Sequence, residues 1–176
     1  FLPAQPDLNF HNPIVQDAAL DVIRFWLERG VDGFRFDTVN MYFHDAALRD
    51  NPPLPQGLTV NAIPEQNPYG MQQPIHNITR PENLGFLERI RTLMERYPGT
   101  TTMGEIGAVT NMYETVADYT RGETRLHTAY SFDFLSDAFS AGRVRELAER
   151  MERCGGESWP SWAFSNHDVA RVVSRW

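Results

Sequence analysis

The chain has 176 residues, 41% of them hydrophobic and 12% aromatic, with a formal net charge of -7. That suffices for one globular unit with a sizeable core, and an acidic balance without a long Lys/Arg cluster argues against nucleic acid or anionic membrane as main partners. The single cysteine, Cys154, excludes an internal disulfide, and no apolar run has transmembrane length or signal-peptide character.

The first predicted element is a helix in which Val15, Ala18, Ala19, Val22, Ile23, Trp26 and Leu27 recur at three- and four-residue steps before a stop at Gly30. A strand follows over Val31–Asp37. Residues 41–80 are rich in Pro, Asn and Gln and nearly aperiodic, which predicts a long loop shaping a functional surface. Leu84, Leu87, Ile90, Met94 and Tyr97 then mark a helix ending at Pro98–Gly99. Beyond it come a strand at Thr101–Glu105, a weaker helix from Asn111 to about Arg121, and a strand at Ala129–Phe134. Val144, Leu147, Ala148 and Met151 mark a helix closed by Gly155–Gly156, and Trp162–Ser165 reads as the last strand. Such alternation indicates α/β architecture with a parallel sheet.

The strand in GVDGFRFDTVN, Gly30 to Asn40, carries Asp32, Arg35 and Asp37, charges that a packed core disfavours. Asp37 ends that strand, Glu105 ends the next in TTMGEIG, and Asp168 follows the last in FSNHD. In parallel α/β folds the carboxyl ends of the strands form one rim where ligand sites gather, so these acids should converge. Alternation puts Arg35 on the side of Asp37, where a guanidinium can hold a carboxylate ionised and oriented. Asp32 has the opposite parity and is left out of the site. A lone acid at a strand end is more often a helix cap, and Asp37–Thr38 and Asp168 could each be one; three together favour a site. His167 has no second histidine nearby, so no metal site is expected. Converging carboxylates suit glycosyl transfer, and Phe36, Tyr42, Phe43, Tyr69, Trp159 and Trp162 could stack on sugar rings, although each taken alone is more often core.

GVDGFRFDTVN, GEIG and FSNHD, in that order, resemble three conserved regions of glycoside hydrolase family 13, the α-amylase family. QPDLNFHNP, Gln5 to Pro13, is similar to the region marking its α-glucosidase and oligo-1,6-glucosidase branch, and AYSFDF and NHDVARVVSRW resemble bacterial α-glucosidases, some of them transglucosylating. The resemblance implies part of a (β/α)8 TIM barrel, about strands four to seven, with residues 1–13 closing an inserted domain and 14–176 forming barrel. The chain, beginning at Phe1 and ending at Trp176, is then expected to be an excerpt of a larger enzyme, unstable and inactive alone. It implies Asp37 as nucleophile, Glu105 as general acid/base and Asp168 as the carboxylate that stabilises the transition state. Arg35 would hold the nucleophile, while His167 and Arg171 would line the sugar pocket. Thr38, just after the nucleophile, points to α-1,4 rather than α-1,6 preference, unless it is there for β propensity. No cofactor is implied for the chemistry, and structural Ca²⁺ or Mg²⁺ ligands would lie outside this chain. The expected activity is a retaining α-glucosidase on small α-glucosides, cytoplasmic in a bacterium. The alternatives are an α-1,6-glucosidase, a sucrose hydrolase or isomerising transferase of the same family, a non-catalytic barrel relative and a sugar-binding domain.

Overall fold

A computed structural model describes residues 4–60, 63–64, 66–136 and 139–176. Four strands, β1 (Gly33–Phe36), β2 (Thr101–Glu105), β3 (Thr128–Ser131) and β4 (Pro160–Trp162), form one sheet in the order β1-β2-β3-β4, every pair parallel. The helices α1 (Pro13–Leu27), α2 (Pro81–Met94), α3 (Met112–Thr120), α4 (Ala141–Gly155) and the short α5 (Val172–Arg175) alternate with the strands. The predicted α/β rhythm is thus present, with one addition, α5, which is too short to show periodicity.

Local chemistry sets the helix starts. Asn12 caps α1 by accepting from the Ile14 amide at 3.0 Å, with Pro13 in the first turn. Ser140 caps α4 through the Arg143 amide at 3.1 Å. The stripe on α2 (Phe86, Leu87, Ile90, Leu93, Met94) and that on α3 (Met112, Tyr113, Val116, Tyr119) are buried together in the core.

The strands differ from the sequence reading at their ends. β1 is trimmed to Gly33–Phe36 because Thr38 turns to φ 40°, outside the extended region. β3 stops at Ser131, since Phe132 adopts φ -86° and ψ 6° and leads into a 3-10 turn over Asp133–Leu135. β4 lies two residues earlier than expected because pairing with β3 matches Ala129 to Pro160 and Ser131 to Trp162. Among the described residues no helix is long and apolar enough to cross a membrane.

Loop 41–80 is held by polar staples rather than by periodic apolar contacts. Asp45 accepts from Arg49 Nη2 at 2.7 Å and pairs with Arg80 at 3.4 Å, and its carboxyl lies well below the usual range because Arg49 hydrogen-bonds it. Asn51 accepts from the His76 amide, and Asn77 donates to the Tyr69 hydroxyl at 2.6 Å. Val60 and Ile78 anchor the loop in the core.

Register fixes which side chains share a face. Arg35 is opposite Met103, and Glu105 is opposite Tyr130. With period-two alternation, Arg35, Met103, Glu105 and Tyr130 therefore project from one face of the sheet. Phe34, Phe36, Thr102, Gly104 and Ala129 project from the other. A Cβ on Gly104 would come within 2.5 Å of Leu126 and 2.9 Å of Val39, so that layer is closed to any side chain.

Candidate active site

The charged groups of the first strand meet Glu105 at the carboxyl end of β2. Arg35 uses one Nη to pair with Asp37 and the other to pair with Glu105 Oε2. Glu105 is buried, whereas Asp37 is largely exposed, so one carboxylate is set in the wall and the other faces outward. The Thr38 amide points at Glu105 Oε2 at 3.3 Å. Burial opposes ionisation of Asp37, but hydrogen bonds with Arg35 and Glu105, and the nearby charges of Arg35 and His167, hold its carboxyl below the usual range. Asp37 is therefore an anion at neutral pH, the form a nucleophile requires.

The predicted residues converge to different degrees. Arg35, Asp37, Thr38 and Glu105 touch one another, and His167 stands close enough to act on Asp37. His167 Nε2 is 3.5 Å from Asp168, whose own amide donates to Asn166 Oδ1 at 3.0 Å. Asp168 lines a hollow of ≈ 860 Å³ with Asn166, Val109, Tyr113, Phe132 and Arg143, and that lining includes neither Asp37 nor Glu105. Arg171 is exposed at the start of α5 and joins none of these contacts. Asp32 sits at the opposite end of β1, its carbonyl bonded to the Thr101 amide. Among the described residues no group of three His, Cys, Asp or Glu side chains is placed to hold a metal ion.

Of the aromatic residues considered for sugar stacking, Phe43 is core, packed on Phe10 and Phe86, and Phe36 packs against the core from the helix side. Trp159 is exposed but precedes β4, at the end of the sheet remote from Asp37. Tyr42 answers to the site: burial, then the Asp37 charge, pushes its phenol up.

Two residues of the site went unrecognised in the sequence. Tyr130 donates to Glu105 Oε1 at 3.0 Å and stands 3.1 and 3.3 Å from the Nη2 and Nε of Arg35. Asn40, fully buried, donates to the Gly107 carbonyl and to Thr79 Oγ1, both at 3.0 Å, tying the chain after Asp37 to the chain after Glu105. Only the register of β2 against β3 brings Tyr130 to Glu105, and no local pattern announces it.

The family model for the α-amylase catalytic domain matches residues 1–176. A probable alpha-glucosidase of Rhizobium meliloti (strain 1021) is 51% identical over the whole chain, which covers 32% of that protein. An alpha-glucosidase of Apis mellifera is 32% identical over 99% of the chain, covering 30% of its own length. Among solved structures, an alpha-glucosyl transfer enzyme, XgtA, superimposes with a TM-score of 0.93 at 51% identity, with 100% of this chain and 33% of that one covered. The chain spans about a third of the length of the relatives it matches, and its four-stranded parallel sheet corresponds to part of their (β/α)8 barrel.

Proposed function

Because the chain belongs to the α-amylase catalytic-domain family, we propose that the protein is a retaining α-glucosidase acting on short α-1,4-linked glucosides, by hydrolysis or by glucosyl transfer to an acceptor alcohol. The observation that carries this reading is the single guanidinium of Arg35 joining Asp37 to Glu105, with Asp37 held ionised. In the first step an Asp37 oxygen bonds to the anomeric carbon as the glycosidic C–O bond breaks. The bonding pair leaves with the aglycone oxygen, which takes the proton of Glu105. In the second step water or an alcohol gives its proton to Glu105 and its oxygen to the anomeric carbon, and the bond to Asp37 breaks.

Asp168 and His167 are assigned to hydroxyls of the bound glucose, and Arg171 to the rim of the pocket. Thr38 is assigned to α-1,4 preference, on its resemblance to maltose-cleaving relatives. Transfer is supported by the likeness to a protein described as an alpha-glucosyl transfer enzyme. Residues 1–13 are read as the lead-in from an inserted domain, 14–176 as barrel, and the location as the bacterial cytoplasm.

The test is Asp37→Ala in the full-length protein. The expected loss of turnover on maltose is about 10⁴-fold or more, as for removal of a covalent nucleophile. Unchanged turnover would end the enzyme reading, and a faster wild-type rate on isomaltose or sucrose than on maltose would end the α-1,4 assignment.

A further inference from the structure

We propose that Tyr130 is a positioning residue for the general acid/base, its hydroxyl fixing the Glu105 carboxyl group against Arg35; this rests on the α-glucosidase reading above. The direction of the bond follows from counting protons. A phenol has one proton and an oxygen that accepts. The Nε and Nη2 of Arg35, which can only donate, approach the Tyr130 oxygen at 3.3 and 3.1 Å. The phenolic proton is thereby left for Glu105 Oε1, 3.0 Å away.

The other Glu105 oxygen faces Arg35 Nη2 and the Thr38 amide. Every donor around Glu105 therefore favours the charged carboxylate, from β1, from the turn after it and from β3. The opposing influence is Asp37, an anion that pairs with the same guanidinium, is hydrogen-bonded to Glu105 itself and has His167 nearby. Burial raises the Tyr130 phenol, the hydrogen bond from Arg35 lowers it and Glu105 raises it again, with a net rise that keeps the proton on the oxygen at neutral pH. Tyr130 is buried with its ring near Phe132, so the hydroxyl has a fixed place.

A donor that stabilises the carboxylate left behind makes Glu105 a stronger acid in the first step. Removing the hydroxyl reverses that effect.

Tyr130→Phe deletes one oxygen and keeps the ring. In the full-length protein, kcat/KM on maltose should fall about 10- to 50-fold, a share of the usual general-acid contribution. The loss on p-nitrophenyl α-glucoside, whose leaving group needs little protonation, should stay under about 3-fold. The alkaline limb of kcat/KM should move up by about one pH unit. Equal losses on both substrates with an unmoved limb would overturn the proposal and leave Tyr130 a packing residue. Carboxylate titration by infrared difference spectroscopy, with the Glu105 band assigned by its loss in Glu105→Gln, reads the same shift without turnover. A moved band in a protein inactive on every α-glucoside would sink the α-glucosidase reading but keep the Tyr130–Glu105 coupling. An unmoved band in an active enzyme would sink the coupling alone.

Discussion

Thr38 and Asn40 show how single residues set the site. A β-branched residue at φ 40° is costly, of order 1–3 kcal/mol, and persists only where its surroundings impose it. Here the imposed turn aims the Thr38 amide at Glu105 and sends Val39 back to bond the Glu105 carbonyl at 2.9 Å. β propensity therefore does not explain Thr38. Asn40 locks the turn: its carbonyl accepts from Thr79 at 2.6 Å, and its side chain meets Gly107 and Thr79 with no exposure to water. Asn40→Ala strands the buried Gly107 carbonyl and removes the partner of the part-buried Thr79 hydroxyl. The expected cost is about 2 kcal/mol, the scale of an unsatisfied buried polar group. Denaturant unfolding of the full-length protein measures it, and a change under about 0.5 kcal/mol would contradict the assignment.

At the scale of elements, the loop bearing His167 and Asp168 is tied to the turn after β3 by Arg175. Its guanidinium donates to the carbonyls of Phe134, Ser136 and Phe164, and its Nε donates to Ala170 at 2.9 Å. Trp176 adds an indole bond to Ser136 at 3.2 Å, and Ser165 Oγ accepts from the Val172 amide at 2.8 Å. Arg175→Met keeps the stem but removes the donors. Amide exchange across 164–170 should quicken at least about 10-fold, as for a segment whose local opening has lost about 1.4 kcal/mol, while 128–131 stays protected. Unchanged exchange there would show that the loop is held by its aromatic packing on Phe134 and Trp176 instead. This level also explains what the sequence revealed and what it hid. The stripes on α2 and α3, and the acids at two strand ends, were legible because burial and charge leave a local pattern. Arg175, Tyr130 and Asn40 carry no such local pattern. Each gets its role from a partner 25 to 95 positions away, which no window of sequence contains.

For the molecule as a whole, the sheet ends in two strands, β1 and β4, each with an edge that no other described strand covers. Unpaired edges of this kind invite association unless covered. On the outer surface of α1, Ile14 is 75% exposed and Val22 60%, with Phe25 and Trp26 also exposed; Arg29, stacked over the Phe25 ring, shields part of that face. Near β4, Trp159, Trp162 and Phe164 are exposed as well. Each such side chain contributes about 1.5–3 kcal/mol when buried, so leaving this many in water removes much of the margin a domain of this size has. In the relatives the matched region is about a third of the chain. Produced by itself, the 176-residue chain is therefore expected to associate or unfold without one cooperative transition, and to leave p-nitrophenyl α-glucoside uncleaved. Differential scanning calorimetry and sedimentation, run beside the full-length protein, check the first expectation, and an activity assay checks the second. A single sharp transition in a monomer would show that the open edges and the α1 face cost less than this reckoning allows, and cleavage would show that Arg35, Asp37 and Glu105 form a working centre without the rest of the barrel.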